Sequence, residues 1–171
     1  MLSLIIWYWH LMTLLVRLLR THLAVVHEGT PDPGQPYIIA DITLAQAFYA
    51  RLSAGMADYY RFEVAPDTCM TLSMLVPVRH YQAGFRPVIA LHGPGLSPDG
   101  FILPSTDEGM RAGTTLYQRT QRANPLLDGG QYLMTVHSDT DGVYCLCVGQ
   151  REPQEYADAA TKARVQALLE S

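Results

Sequence analysis

Lysine is nearly missing from this 171-residue chain, in which Lys162 is the single lysine among twelve basic residues. Two of the arginines, Arg17 and Arg20, lie near the N-terminus. Beyond residue 26, ten basic side chains face sixteen acidic ones, so this part has a net charge near −6. A protein that binds nucleic acid needs a basic surface that neutralises phosphates. The composition therefore excludes nucleic acid as an expected partner.

Cysteine is also scarce, since the chain contains only Cys69, Cys145 and Cys147. An odd number excludes a complete set of intramolecular disulfides. Cys145 and Cys147 are two residues apart on a predicted strand, which puts their Cα atoms roughly 6.6–6.8 Å apart. That distance is at the upper end of the range for a disulfide. The cysteines indicate neither a disulfide framework nor a cellular compartment.

Motifs for common chemistries are missing as well. The chain has no phosphate-binding glycine loop, no His-Glu-x-x-His, no Gly-x-Ser-x-Gly and no Cys-x-x-Cys. An active site needs a pocket with convergent titratable groups, and the sequence shows no such cluster. We therefore predict a non-catalytic protein without a cofactor. An enzyme with an unrecognised site is the alternative.

Apolar residues are abundant at the N-terminus. Residues 2–16 carry no charge and include both tryptophans, and residues 2–26 include thirteen Leu, Ile or Val. These aliphatic residues favour membrane insertion by roughly 4–8 kcal/mol, whereas Arg17 and Arg20 oppose it by about 2.5–3.5 kcal/mol each at mid-bilayer. We expect residues 1–26 to form a hydrophobic helix that serves as a leader or membrane anchor. A buried N-terminal helix is the alternative.

Prolines separate this segment from the rest of the chain. Residues 27–36 are predicted to be a linker, because three prolines between residues 30 and 36 cannot continue a helix. Beyond it, apolar residues alternate with other residues in several short runs, which is typical of strands with one buried face. With turn signals between the runs, residues 37–150 are predicted to form an all-β domain, an immunoglobulin- or jelly-roll-like β-sandwich.

The same alternation predicts a hairpin near the end of this domain. Residues 131–137 and 142–149 are expected to pair, with Val136 opposite Tyr144, because this register brings their apolar faces together. Residues 97–112 have no clear period and are predicted to form a long loop.

A short C-terminal helix is predicted for residues 151–171. Pro153 is well placed to open it, and acidic residues follow where the helix dipole is positive. We expect this helix to pack on its own sandwich. A helix that binds a partner or a membrane surface is the alternative.

Several stretches resemble a known family, the bacterial pre-peptidase C-terminal type domain. They are residues 46–52, residues 58–64 with an aspartate before an aromatic strand, and residues 71–75. Residues 142–149 are similar to the last strand of that family and to the tyrosine corner of immunoglobulin-like sandwiches. The chain also resembles exported, stand-alone bacterial sandwich proteins. This resemblance implies a non-catalytic β-sandwich accessory module outside the cytoplasm.

Three residues of these stretches are expected to have structural roles. Asp58 is expected to accept hydrogen bonds from nearby backbone amides at a turn. Tyr144 is expected to bond to a backbone group at a corner rather than to act as an acid. Gly142 closes the turn signal that begins at Asp139.

No set of side chains has the spacing of an established metal site, so we predict none. The candidates for copper are Cys145, Cys147 and His137, with Cys69, His80 and His92. A blue-copper site needs two His, a Cys and an axial ligand, and Cys147 is not followed by the expected His and Met. The candidates for calcium are Asp139 and Asp141, and His27 with Glu28 is a third candidate set after cleavage of a leader.

Together these patterns predict a non-catalytic binding or structural module that is attached to a membrane or exported. It would contact the membrane through residues 2–26 and would bind a protein partner, as an accessory subunit of a larger membrane complex. A periplasmic sandwich protein that binds copper or calcium is the alternative.

Overall fold

The computed structural model describes residues 22–155 and 157–171. The predicted hydrophobic segment lies outside the described residues except for its last five positions, residues 22–26. Among the described residues, no helix is long and apolar enough to cross a membrane.

Strands are the main regular structure of the described residues, which confirms the all-β class that the sequence predicts, and a short helix follows at the C-terminus. The strands are β1 (Leu23–Val26), β2 (Tyr37–Ile38), β3 (Gln46–Leu52), β4 (Ala57–Val64), β5 (Thr68–Cys69), β6 (Leu72–Pro77), β7 (Val88–His92), β8 (Phe101–Ile102), β9 (Ser105–Ala112), β10 (Thr115–Ala123), β11 (Leu126–Leu127), β12 (Gly130–His137) and β13 (Gly142–Val148). The helices are α1 (Val78–Gln82) and α2 (Ala159–Glu170).

Two mixed sheets enclose the main core. The six-stranded sheet has the order β1-β3-β13-β6-β10-β9, and the five-stranded sheet has the order β2-β4-β12-β7-β8. The pairs β1–β3 and β2–β4 are parallel, and the other pairs in these sheets are antiparallel. Both sheets contribute large, fully buried side chains to one cluster, which contains Phe48, Tyr60, Leu72, Met74, Leu91, Tyr132, Met134, Tyr144 and Leu146.

The predicted hairpin between residues 131–137 and 142–149 is wrong. β12 pairs with β4 and β7, whereas β13 pairs with β3 and β6, so the two strands belong to different sheets. Val136 and Tyr144 are both fully buried, as expected. Alternation identifies the face of a strand that is buried, but it does not identify the neighbouring strand.

The predicted loop at residues 97–112 is also wrong in large part, because it contains β8 and β9. β9 is an edge strand of the six-stranded sheet, and most of its residues are exposed. Such a strand has no buried face and therefore no apolar period. β9 and β10 are joined by a tight turn in which Gly113 has a φ of +59°, a backbone conformation that glycine adopts without steric cost.

Both ends of the sandwich differ from the predicted boundaries. Leu23–Val26, which was assigned to the hydrophobic segment, is a strand that pairs in parallel with β3. Helix α2 begins after Asp158, not at Pro153, because the Asp158 side chain accepts a hydrogen bond of 2.7 Å from the Thr161 backbone N–H. The helix packs against β1 and β3, as expected for a helix that lies on its own sandwich.

Gly142 has a packing role at the start of β13. A Cβ atom at this position would lie 2.4 Å from Cγ of the buried Phe85 ring. The absence of a side chain at Gly142 therefore lets the Phe85 ring fill the core.

The buried face of β13 can be tested with Leu146→Ala. Leu146 is fully buried and lies opposite Phe48 and Met74 on the two neighbouring strands. The change should lower the free energy of unfolding by about 2–5 kcal/mol, as is usual for a buried leucine. Urea denaturation measures this loss. Arg61→Ala, at a half-buried position of β4, should cost far less, and equal losses would contradict the assignment.

Candidate functional site: a groove on the outer face of the six-stranded sheet

A groove of about 960 Å³ crosses the outer face of the six-stranded sheet. Strands from one edge of this sheet to the other contribute to its lining. The side chains that line the groove include Tyr49, Ser73, Leu75, Met110, Tyr117, Arg119, Arg122, Cys145 and Cys147.

Strand register places these side chains in two adjacent rows. Cys145 lies opposite Tyr49 of β3 and Leu75 of β6, and Leu75 lies opposite Arg119 of β10. Cys147 lies two residues further along β13 than Cys145, opposite Ser73 on β6. Because alternate residues of a strand point to the same face, both thiols lie on the floor of the groove.

The two thiols are close together and differ in accessibility. Their sulfur atoms are 3.7 Å apart, and the exposed fraction is 1% for Cys145 and 9% for Cys147. The neighbouring Cys145 thiol and the Arg119 charge lower the pKa of Cys147, while burial raises the pKa of Cys145. Cys147 is thus the more acidic and more accessible thiol.

Arg119 brings positive charge into the groove. Its Nη1 atom forms a salt bridge of 2.6 Å with Glu108, and its Nη2 atom donates to the Met110 sulfur at 3.6 Å. The buried Nε atom has no hydrogen-bond partner among the described residues. A buried N–H without a partner is costly, so the hydrogen bonding of the Arg119 side chain is incomplete.

Two tyrosines, Tyr49 and Tyr117, flank the thiols. The pKa of Tyr49 is raised chiefly by the neighbouring Cys145 and by burial, and burial raises the pKa of Tyr117. Both hydroxyls therefore stay neutral at physiological pH and can donate or accept hydrogen bonds.

Of the metal candidates, Cys145 and Cys147 lie in contact with each other. His137 ends a strand of the other sheet, and Asp139 and Asp141 are exposed in the connection after it. The remaining copper candidates lie on separate elements: Cys69 in β5, His80 in α1 and His92 in β7. Within residues 22–155 and 157–171, no group of three or more His, Cys, Asp or Glu is arranged to hold a metal ion.

A separate polar cluster lies in the core between the sheets. His27 Nε2 is 2.6 Å from the Tyr60 hydroxyl, which is 2.6 Å from the Tyr144 hydroxyl, and Tyr144 donates to Asp58 at 2.6 Å. The Gly29 backbone N–H donates to His27 Nδ1 at 3.1 Å. Because Nδ1 accepts a hydrogen bond, a neutral His27 carries its proton on Nε2 and donates it to the Tyr60 hydroxyl. The Tyr60 hydroxyl then donates to Tyr144, and the Tyr144 hydroxyl donates to Asp58.

This cluster corrects two expectations. Tyr144 bonds to the side chains of Asp58 and Tyr60, not to a backbone group at a corner. Asp58 does accept from a backbone amide, but the donor is Thr30, twenty-eight residues earlier, at 2.6 Å. The segment that was predicted to be a linker packs on the sandwich through His27 and Thr30, while Glu28 is exposed.

The cluster predicts that stability depends on pH near neutrality. Burial lowers the pKa of His27 below its ordinary value of 6.5, and the Asp58 charge opposes this only in part. The unfolded chain therefore binds a proton more readily, so the free energy of unfolding should fall as pH drops from about 7.5 through 6.5 toward the lowered pKa. Urea denaturation across this range measures the slope.

His27→Gln removes the titrating group and should reduce this slope. Burial also lowers the pKa values of His22 and His80, so some slope should remain. An unchanged slope in the variant would show that His27 does not titrate in the folded core.

The Tyr144 hydroxyl can be tested by Tyr144→Phe. The change leaves one carboxylate oxygen of Asp58 without its donor and the Tyr60 hydroxyl without its acceptor, so it should cost about 1–3 kcal/mol or more of stability. Tyr81→Phe is the matched control, because the Tyr81 hydroxyl bonds to Asp107 at an exposed position. Thermal and urea denaturation of both variants should separate them, and equal losses would contradict the prediction.

No protein-family model matches the chain, and no curated protein matches it significantly. Among solved structures, it is similar to the pre-peptidase C-terminal domain of collagenase from Bacillus anthracis, at 22% identity and a TM-score of 0.45, over 67% of this chain and 94% of that one. It is also similar to PliG of Salmonella Typhimurium, a periplasmic inhibitor of g-type lysozyme, at 14% identity and a TM-score of 0.41, over 67% and 99%. A PliG mutant from Escherichia coli gives 10% identity and a TM-score of 0.41, over 68% and 99%. The collagenase domain is of the type that residues 46–52, 58–64 and 71–75 resemble.

Proposed function

We propose that this protein is a non-catalytic binding module that receives an acidic segment of a protein partner in the groove of its six-stranded sheet. The observation that carries the proposal is the buried Arg119 Nε atom, which has no partner among the described residues. A carboxylate of the partner would accept from this donor, and such charge-assisted hydrogen bonds are stronger than neutral ones.

The rest of the groove suits the same ligand. Arg122 lies in the groove at an exposed position, and Tyr49 and Tyr117 supply neutral hydroxyls on aromatic rings. Tyrosine and arginine are enriched among the residues that contribute most to protein–protein affinity. The partner's acidic charge would be recognised locally, although the chain as a whole is acidic.

The proposal includes attachment to a membrane or export across it by residues 1–26, with the sandwich outside the cytoplasm. The first strand begins at Leu23, only three residues after Arg20. A hydrophobic helix that ends at the arginines would therefore hold the sandwich next to the membrane surface. An N-terminal helix and an immunoglobulin- or jelly-roll-like strand order remain part of this proposal.

Carbonate extraction tests the attachment. The full chain should stay with the membrane pellet, whereas a chain that starts at His22 should be released. The truncation point matters, since a chain that starts at Thr30 would lose strand β1 and the His27 contact to Tyr60. Release of the full chain by carbonate would overturn membrane anchoring.

Site-specific photo-crosslinking tests the groove. A photoreactive phenylalanine analogue at Met110, which is half-buried in the groove, should capture a discrete partner in native membranes. The same analogue at Thr135 is the matched control, because Thr135 is a half-buried position on the outer face of the five-stranded sheet.

Arg119→Gln should lower the yield of the Met110 crosslink at least several-fold, because it removes the charge and the free Nε donor. An acidic peptide in excess should compete for the same product. Equal crosslinking at Met110 and Thr135, or no effect of Arg119→Gln, would contradict the proposal.

The alternative of a metal-binding protein is favoured by one observation, the thiol pair on the groove floor. This observation concerns copper and not calcium, since Asp139 and Asp141 are exposed in a turn. The alternative of an enzyme has no comparable observation among the described residues.

A further inference from the structure

Strand β9 forms an open edge of the six-stranded sheet. It pairs with β10, no other described strand pairs with it, and most of its residues are exposed. The free backbone N–H and C=O groups of an edge strand can pair with a strand of another molecule. We propose that β9 pairs in antiparallel orientation with β9 of a second copy of this chain, across a two-fold axis at Gly109. The two six-stranded sheets would then form one continuous sheet.

The turn between β9 and β10 determines which backbone groups face the open edge. Two residues separate the paired positions Ala112 and Thr115, and the first of them, Gly113, has a φ of +59°. A two-residue turn of this kind closes on a hydrogen-bonded pair, and such pairs alternate along an antiparallel ladder. Ala112 and every second residue before it in the regular part of β9 therefore direct their N–H and C=O groups to β10. Gly109 and Arg111 direct theirs to the open edge.

The charged side chains of β9 complement a second copy of the same strand. Asp107 and Arg111 lie two residues to either side of Gly109, and both are exposed. They share one face of the sheet, because Asp107 accepts a hydrogen bond from Gln118, which lies opposite Gly109. In an antiparallel pair centred at Gly109, Asp107 of each copy lies opposite Arg111 of the other, so two identical ion pairs form. Arg111 makes no hydrogen bond or ion pair with the described residues, so it is available for this contact.

Other registers of the same pairing are less favourable. A centre at Asp107, Glu108 or Arg111 would put like charges directly opposite each other, which destabilises a strand pair, and a centre at Met110 would remove both ion pairs. Edge strands that are protected from pairing carry prolines, bulges or inward-pointing charges. The regular part of β9 carries charges of both signs in a self-complementary order around a residue without a side chain. The charge pattern therefore selects the centre at Gly109.

The pairing would also bring two grooves together. A two-fold axis perpendicular to the sheet keeps the outer faces of both copies on the same side, and Met110 and Glu108 lie on this face beside Tyr117 and Arg119. Met110 of each copy would lie opposite Glu108 of the other, while Glu108 keeps the salt bridge to Arg119 of its own chain. The dimer goes beyond the proposed function, because its contacts do not require the acidic partner.

Light scattering of the full chain in detergent, over a series of concentrations, tests the dimer with Gly109→Lys. A Cβ atom at this position would meet only Gln118 Oε1, at 3.8 Å, which is an ordinary contact, so the variant should fold. The wild type should have the mass of two copies. The variant places two ammonium groups opposite each other at the axis, so its dimer dissociation constant should rise about tenfold or more. Gly109→Ser is the matched control, because it adds a side chain without a charge, and it should stay dimeric.

A charge exchange tests the register. Arg111→Asp and Asp107→Arg should each weaken the dimer of the variant chain, because like charges then lie opposite each other. A mixture of the two variants should form a heterodimer, in which opposite charges meet at both positions. Native mass spectrometry distinguishes the heterodimer from the two homodimers, and circular dichroism checks that each variant is folded.

Three outcomes would each overturn the proposal: a monomeric wild-type chain, an unchanged dimer in Gly109→Lys, or a mixture of the charge variants that does not associate. Photo-crosslinking from Met110 separates the dimer from the partner site. A product of two copies reports the dimer, whereas a product with another protein reports the partner. Gly109→Lys should remove the first product and leave the second, so the two proposals can fail independently.

Discussion

The described sandwich depends on a buried carboxylate that accepts hydrogen bonds from two segments distant from it in sequence. Asp58 is 2% exposed, and it belongs to β4 of the five-stranded sheet. Its hydrogen bonds come from Tyr144 of the six-stranded sheet and from the backbone of Thr30. An unpaired carboxylate in the core would be very costly, so folding must bring the two sheets and the N-terminal segment together at this point. The continuation through Tyr60 to His27 extends the same constraint to the residues that follow β1.

A second polar link joins the sheets at the other side of the core. The register of β10 shifts between Arg119 and Gln121, which turns Gln121 inward. Gln121 accepts a hydrogen bond from the Ile89 backbone N–H and donates one to the Leu103 backbone carbonyl, each at 2.7 Å. The same irregularity leaves Arg119 on the outer face, beside the thiols. Residues two apart on a regular strand share a face, but the bulge places Arg119 and Gln121 on opposite faces of the sheet. The same bulge therefore contributes Gln121 to the core and Arg119 to the groove.

Sequence alone predicts which face of each strand is buried better than it predicts which strands pair with each other. Alternation assigned Tyr132, Met134, Tyr144 and Leu146 to the core correctly, because burial of one face requires a period of two. It could not place β12 and β13 in different sheets, since pairing depends on contacts between distant segments. It also missed β9, an exposed edge strand without an apolar face.

The candidate site was predictable only in part, for the same reason. Cys145 and Cys147 share a face by their spacing, and that much follows from the sequence. Their burial does not, because the outer face of a sandwich strand is ordinarily solvated, and here the thiols belong to a buried outer cluster with Ala47, Leu75 and Tyr117 from other strands. No local pattern connects Arg119 with the thiols, since its effect on Cys147 arises from the order of strands β13, β6 and β10. The core holds the sheets together without these outer side chains, so the groove is the part of the sandwich whose residues are free to be selected for a ligand.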